Sequence, residues 1–144
     1  MATMEMTAEE REAFLADVHV GILSIARTGK GPLALPIWYQ CERGDVLIGM
    51  GGNSLKAKLL RRAGRATMTV QSETPPYKYV MVEGPVVVLP EQRDDYAMAS
   101  RYLGPELGRW YAENNPSTSE SVIVRLTPEN WLTCDFGKGM GRAR

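Results

Sequence analysis

The chain has 144 residues, 44% of them hydrophobic and 24% charged, and its 17 Lys and Arg balance its 17 Asp and Glu. Such a length suits one domain around one core, residues 1–144. Zero net charge argues against a broad basic field for nucleic acid or an acidic membrane, so any bound anion should be small and held by a local patch.

Taken in chain order, Thr7-Ala8-Glu9-Glu10 reads as a capping box that opens a helix running to about Asp17, with Phe14 and Val18 on one face. A strand follows over residues 19–26. Thr28-Gly29-Lys30-Gly31-Pro32 turns the chain into a second strand, 33–40. Glu42 to Asp45 turns it again into a third, 46–50, and connections this short make the strands antiparallel. Gly51-Gly52-Asn53-Ser54 opens a helix over 55–63, and a strand rich in Thr and Val covers 65–72. After Thr74-Pro75-Pro76, residues 77–89 form a long strand in which Gly84-Pro85 marks a bulge or an edge. Residues 91–102 read as a helix, Gly104 ends it, and Pro105 starts another at its first position. Strands at 121–126 and 131–135 close the pattern, and Gly137 to Arg142 is a loose or late-docking tail. About seven short, mostly adjacent strands with flanking helices predict a mainly β protein, an antiparallel sheet curling into a barrel.

Function concentrates in one segment. No acid occurs between Asp45 and Glu73, and Lys56, Lys58, Arg61, Arg62 and Arg65 fall within ten positions. Gly51 and Gly52 permit a sharp bend or a close approach to a ligand. Asn53 or Ser54 caps the next helix, whose first turn offers unpaired N–H groups and partial positive charge to a phosphate. On a helical wheel Leu55, Leu59 and Leu60 define the apolar face. Lys58, Arg61 and Arg62 then lie opposite, as a solvated face explains. Lys56 falls inside the apolar arc and opposes the helix dipole, so it needs a partner, and a bound anion supplies one; the bland alternative is snorkelling along the rim. Upstream, Leu35-Pro36-Ile37-Trp38-Tyr39 carries a proline that removes a ladder donor, so that strand should be locally unpaired or at an edge. Its backbone can hydrogen-bond a planar heterocycle walled by Trp38 or Tyr39, although core aromatics are the simpler reading of both. Tyr77 and Tyr79, at period-2 spacing, share a strand face and can stack on a ring or fill a subunit interface.

Phe14-Leu15 with Val20 to Ser24, Gly31 to Tyr39, Ser54 to Lys58 with Leu60 to Arg62, and Tyr79 to Gly84 appear in an order that resembles the pyridoxamine 5'-phosphate oxidase-like, flavin-binding split-barrel family. Ser100-Arg101-Tyr102-Leu103-Gly104 is similar to a short actinobacterial branch that often uses deazaflavin. The resemblance implies an FMN-binding type of antiparallel split β-barrel, a homodimer with two cofactor sites at its interface, and FMN or the deazaflavin coenzyme F420 as cofactor. By the same pattern, backbone from Leu35, Pro36, Ile37 and Trp38 faces the ring. Ser54, Lys56 and Lys58, beside Asn53, hold the phosphate, and Tyr77 and Tyr79 reach the site of the partner. The C-terminal stretch Asp135-Phe136-Gly137-Lys138 lacks the histidine that holds substrate in true pyridoxamine phosphate oxidases, which argues against pyridoxine chemistry.

The expected activity is an oxidoreductase in which a reduced F420 or FMN passes hydride to a small unsaturated or conjugated substrate, and no side chain is assigned as acid or base. A binding protein that carries flavin, haem or tetrapyrrole without turnover is the rival. Hydrolysis is set aside because His19 is the lone histidine and no nucleophile elbow accompanies it. No metal site is expected, since Cys41 and Cys134 are isolated and read as buried free thiols. A nucleic-acid barrel is set aside because the basic residues are confined to one segment. Without a signal-peptide core or an apolar run of about 18 residues, a soluble cytoplasmic protein is expected.

Overall fold

The computed structural model describes residues 3–90 and 95–140. Helix α1 (Ala8–Ala16) opens on the capping box: the Thr7 hydroxyl accepts the Glu10 N–H at 3.2 Å and the Glu10 carboxylate accepts the Thr7 N–H at 2.8 Å. Phe14 and Leu15 are buried, but the helix ends before Val18, which is exposed rather than on the buried face.

Strands β1 (Gly21–Arg27) and β2 (Lys30–Ile37) form a hairpin whose turn is only Thr28-Gly29, with Gly29 at φ 71°. The predicted second strand therefore starts earlier, and it also stops earlier. Pairing with β1 ends at Ile37, the ladder breaks at Trp38-Tyr39, and the chain resumes as β3 (Gln40–Glu42). That break makes eight strands, among the described residues, of the expected seven or so. β3 turns through Arg43-Gly44, both at positive φ as a tight hairpin requires, into β4 (Asp45–Gly51). Helix α2 (Leu55–Ala63) leads to β5 (Arg65–Gln71) and to the long β6 (Lys78–Leu89), which leaves Tyr77 just outside the strand. Helices α3 (Asp95–Leu103) and α4 (Pro105–Asn114) precede β7 (Ser121–Leu126), β8 (Asn130–Asp135) and the short α5 (Gly137–Met140). The expected helix start at 91–94 and the tail beyond Met140 lie outside the described residues.

All strand pairs are antiparallel in the order β2-β1-β5-β6-β7-β4-β3, with β8 also on β6, so the sheet is curled but open: a split barrel with flanking helices. β6 makes this possible. Its first part, Lys78 to Glu83, pairs with β8, and its last part, Val86 to Leu89, pairs with β7. Gly84-Pro85 marks the exchange of partners. A side chain at Gly84 would sit 1.8 Å from the Thr127 carbonyl oxygen, and Pro85 needs no ladder donor there.

Strand alternation divides the two faces. Leu23, Met68 and Val82 align across β1, β5 and β6, all fully buried, with Val70, Val80, Val124 and Leu126 in the same core. The opposite face carries the row Pro36–Ile22–Thr69–Met81–Leu132, with Ile22 40% and Leu132 53% exposed. The N-terminal segment lies along β8, where the Asp135 N–H donates to the Met4 carbonyl at 2.7 Å. Lys138 donates to the Glu10 carboxylate at 2.6 Å, so the tail does dock. This ammonium, with the Thr7 N–H, holds Glu10 down at about 2. No helix among the described residues is long and apolar enough to cross a membrane.

Candidate functional site

A cavity of about 630 Å³ opens where the end of β2, the end of β4, the start of α2, the start of β7 and the α3–α4 pair meet. Its apolar wall comes from Ile37, Trp38, Met50, Val122 and Tyr111, and Lys56, Asp95 and Ser117 supply charge and hydrogen bonds. The volume lies inside the range of about 300–1,000 Å³ usual for small-molecule sites.

Lys56 is one of the predicted residues that line the cavity. It stands half-buried at the second position of α2, lines the cavity and makes no ion pair among the described residues. The buried face of α2 differs from the one expected, however. Leu55 is 59% exposed, and the buried positions of α2 are Ala57 and Leu60. α2 packs on β1 and β6 with Ala57, whose small side chain permits close approach, so the packed face is rotated from the one the leucines suggested.

The helix entrance is also built differently. Ser54, not Asn53, is the cap: its hydroxyl accepts the Ala57 N–H at 3.2 Å. Gly52 is required for contact with protein, since a side chain there would lie 2.6 Å from the Glu120 carbonyl oxygen, to which its own N–H donates at 2.7 Å. Arg61 reaches back to the Gly52 carbonyl at 2.6 Å and so braces the loop from the far end of the helix. Arg65 is committed elsewhere, in a fork to Glu83 at 2.7 Å and Glu129 at 2.6 Å, and holds Glu83 down at about 2. Lys58 and Arg62 remain on the exposed side, as the wheel required.

Of the ring-facing segment, Pro36, Ile37 and Trp38 line the cavity, whereas Leu35 turns to the core. β2 is an edge strand, as its proline demanded. Tyr39 is a core residue: it is fully buried and donates its hydroxyl to the Leu15 carbonyl at 2.8 Å. Burial raises its pKa well above the ordinary tyrosine value. Tyr79 lies on the opposite sheet face from the core, 6.3 Å from the Phe136 ring, and Tyr77 is exposed; neither lines the cavity of its own chain. Cys134 is buried as expected, but Cys41 is exposed. His19 stacks on Phe14 at 4.4 Å with its Nε2 buried and unpartnered; burial lowers its pKa, Asp17 opposes that shift and Arg101 reinforces it. Among the described residues no group of three or more His, Cys, Asp or Glu could hold a metal ion.

Sequence reasoning missed the α3–α4 contribution. Asp95 accepts from the Ser117 N–H at 2.6 Å and from the Ser117 hydroxyl, which pins the end of the 115–117 loop against the cavity. Trp38 stacks on Tyr102 and meets Tyr111 at 5.3 Å. The aromatics of these helices were visible in the sequence, but nothing local linked them to Trp38.

Comparison with known proteins fits this geometry. Residues 7–135 match the pyridoxamine 5'-phosphate oxidase family. No curated protein matches the chain. Among solved structures, a conserved hypothetical protein of Mycobacterium tuberculosis superposes with a TM-score of 0.79 at 22% identity, covering 97% of this chain and 91% of that one. An FAD-binding protein of Mesorhizobium loti gives 0.67 at 20% identity, covering 92% and 97%. An F420 reductase gives 0.61 at 21% identity, covering 84% and 94%.

Proposed function

The chain belongs to the pyridoxamine 5'-phosphate oxidase family, and from that membership we propose that it is a homodimeric oxidoreductase that binds F420, or else FMN, in the cavity beside α2. The bound cofactor would supply the hydride for a small unsaturated or conjugated acceptor. The protein's own residues bind, orient and exclude water. The observation that carries this reading is Lys56: a half-buried ammonium on a cavity, without an ion pair among the described residues, beside a helix entrance, in a protein of zero net charge. A phosphate is the partner such a group lacks.

The remaining residues fit the group in outline. Pro36, Ile37 and Trp38 offer an edge-strand backbone and an aromatic wall to a planar ring, and Ser54 caps α2 two residues before Lys56, although neither it nor Asn53 lines the cavity. Lys58 and Arg62, exposed on the outer side of α2, suit the acidic tail that F420 carries and FMN lacks, which is why F420 is preferred. Two features support the homodimer. Pro36 belongs both to the cavity and to the exposed apolar row through Ile22 and Leu132, so a second copy covering that row would also border the cavity. Tyr79 lies on that same outer face, from which it and Tyr77 would reach the site of the second copy.

Equilibrium titration of purified protein with F420 and with FMN tests the proposal. Binding of F420 in preference to FMN is expected, FMN alone would reverse the preference, and binding of neither would end the reading. Rapid mixing of the reduced cofactor with quinones, enones and biliverdin then separates an oxidoreductase from a carrier, which would oxidise with none of them.

A further inference from the structure

Several contacts converge on the segment Ser100-Arg101-Tyr102-Leu103-Gly104. Trp38 and Tyr39 lie in the gap between β2 and β3, where the ladder supplies no partners. Both backbone polar groups of Tyr39 are satisfied from α3 instead. Its N–H donates to the Tyr102 hydroxyl at 3.0 Å, and its carbonyl accepts from Arg101 Nε at 3.2 Å. The single proton of the Tyr102 hydroxyl goes to the His19 carbonyl at 2.7 Å, a shorter contact than the 3.1 Å to the Tyr39 carbonyl. Arg101 also donates to the Ala16 carbonyl at 3.1 Å and the Asp17 carbonyl at 2.9 Å, where α1 ends. The Tyr102 ring lies under Trp38, centroids 4.9 Å apart and planes 4° from parallel, an offset stack.

Chain and indole are thus gripped by neighbouring residues of one helix turn. A ladder at this point would fix the backbone equally well, but strand alternation would dictate where Trp38 points. A side-chain clamp leaves the strand open and sets the indole independently. We propose that Arg101 and Tyr102 are positioning residues that hold Trp38 and the 38–39 backbone as the ring-facing wall of the cavity, and so set affinity for the planar heterocycle without affecting the phosphate. This rests on the flavin reading above.

A merely structural role would show as lost stability alone. The discriminating measurement compares each cofactor with its phosphate-free nucleoside, FMN with riboflavin and F420 with the corresponding deazaflavin riboside, in Tyr102→Leu, Tyr102→Phe and Lys56→Ala. Tyr102→Leu should weaken cofactor and nucleoside alike by roughly tenfold, the equivalent of one well-made contact. Tyr102→Phe keeps the stack, loses the anchor and should cost about threefold. In both variants the cofactor-to-nucleoside ratio stays at the wild-type value, whereas in Lys56→Ala that ratio collapses. Nucleoside affinity within about twofold of wild type in both Tyr102 variants, a change too small to report a lost contact, overturns the proposal. Acrylamide quenching of Trp38 in a Trp110→Phe, Trp131→Phe background gives a ligand-free readout. Quenching should rise in both Tyr102 variants, and an unchanged value overturns the clamp even if the protein binds no flavin. If Tyr102→Leu does not fold, Tyr102→Phe carries both readouts. Wild-type protein that binds neither cofactor, together with raised quenching in the variants, would remove the flavin reading and leave the clamp standing.

Discussion

At the scale of single residues, charge without a partner and polarity without a partner make different predictions. Lys56 has the first: its ammonium lines the cavity and pairs with nothing among the described residues. Lys56→Ala should therefore weaken cofactor binding by about 1–3 kcal/mol, the usual worth of a charge-assisted contact, with little change in stability; titration against wild type checks both. His19 has the second. Its folded pKa lies below its ordinary value because burial disfavours the charged form, so the fold prefers the neutral ring. The unfolded chain then takes up the proton first as pH falls, and stability declines below about 6.5, the free-histidine value, while staying flat above it. His19→Asn removes the titration, so its melting temperature should vary less than wild type between pH 7 and pH 5; parallel curves would refute the assignment. The place of Lys56 at the helix start was legible, whereas the apolar arc drawn through the leucines was not the buried one, since Leu55 is exposed and Ala57 and Leu60 are the buried positions. The role of Tyr39 was not legible: nothing local shows that its hydroxyl meets Leu15, 24 residues earlier in the chain.

At the scale of elements, periodicity and turn chemistry located nearly every strand and helix. The errors lie where a tertiary contact ends or rotates an element. β2 stops at Ile37 because α3 takes over the hydrogen bonds of Tyr39. The packed side of α2 follows Ala57 and Leu60 because the helix sits against β1 and β6, a choice that the three leucines on a wheel do not determine. β6 gives a direct test. Its partner exchange brings the Thr127 carbonyl so close to Gly84 that no side chain fits. Gly84→Ala should therefore destabilise the protein by about 3 kcal/mol or more, because the obstruction is backbone and cannot rotate away. A urea unfolding midpoint near wild type would show that the strand exchange leaves room for a methyl group at Gly84. Gly84-Pro85 was read as a bulge or an edge, but its register to β5 is unbroken and β6 is central; that it marks a change of neighbour requires knowing that β7 and β8 return to the same strand.

At the scale of the whole molecule, the exposed row Pro36–Ile22–Thr69–Met81–Leu132 is the feature that one chain leaves unfinished. A contiguous apolar face beside a binding cavity marks an interface more often than a free surface. If two copies meet there, Ile22→Glu combined with Leu132→Glu should shift the sedimenting species from dimer to monomer and weaken cofactor binding by roughly tenfold or more, since each site borders the other chain. A double variant that stays dimeric would place the interface elsewhere. The sequence by itself determined the strand and helix pattern, the edge character of β2 and the place of Lys56 at a helix start, because each is written in the spacing and chemistry of near neighbours. Only the tertiary structure decided that α3 and α4 wall the cavity, that Tyr102 holds Trp38 and that Arg61 braces the α2 entrance. Those contacts join segments whose meeting depends on how the sheet curls, and that curl is set by the whole core at once.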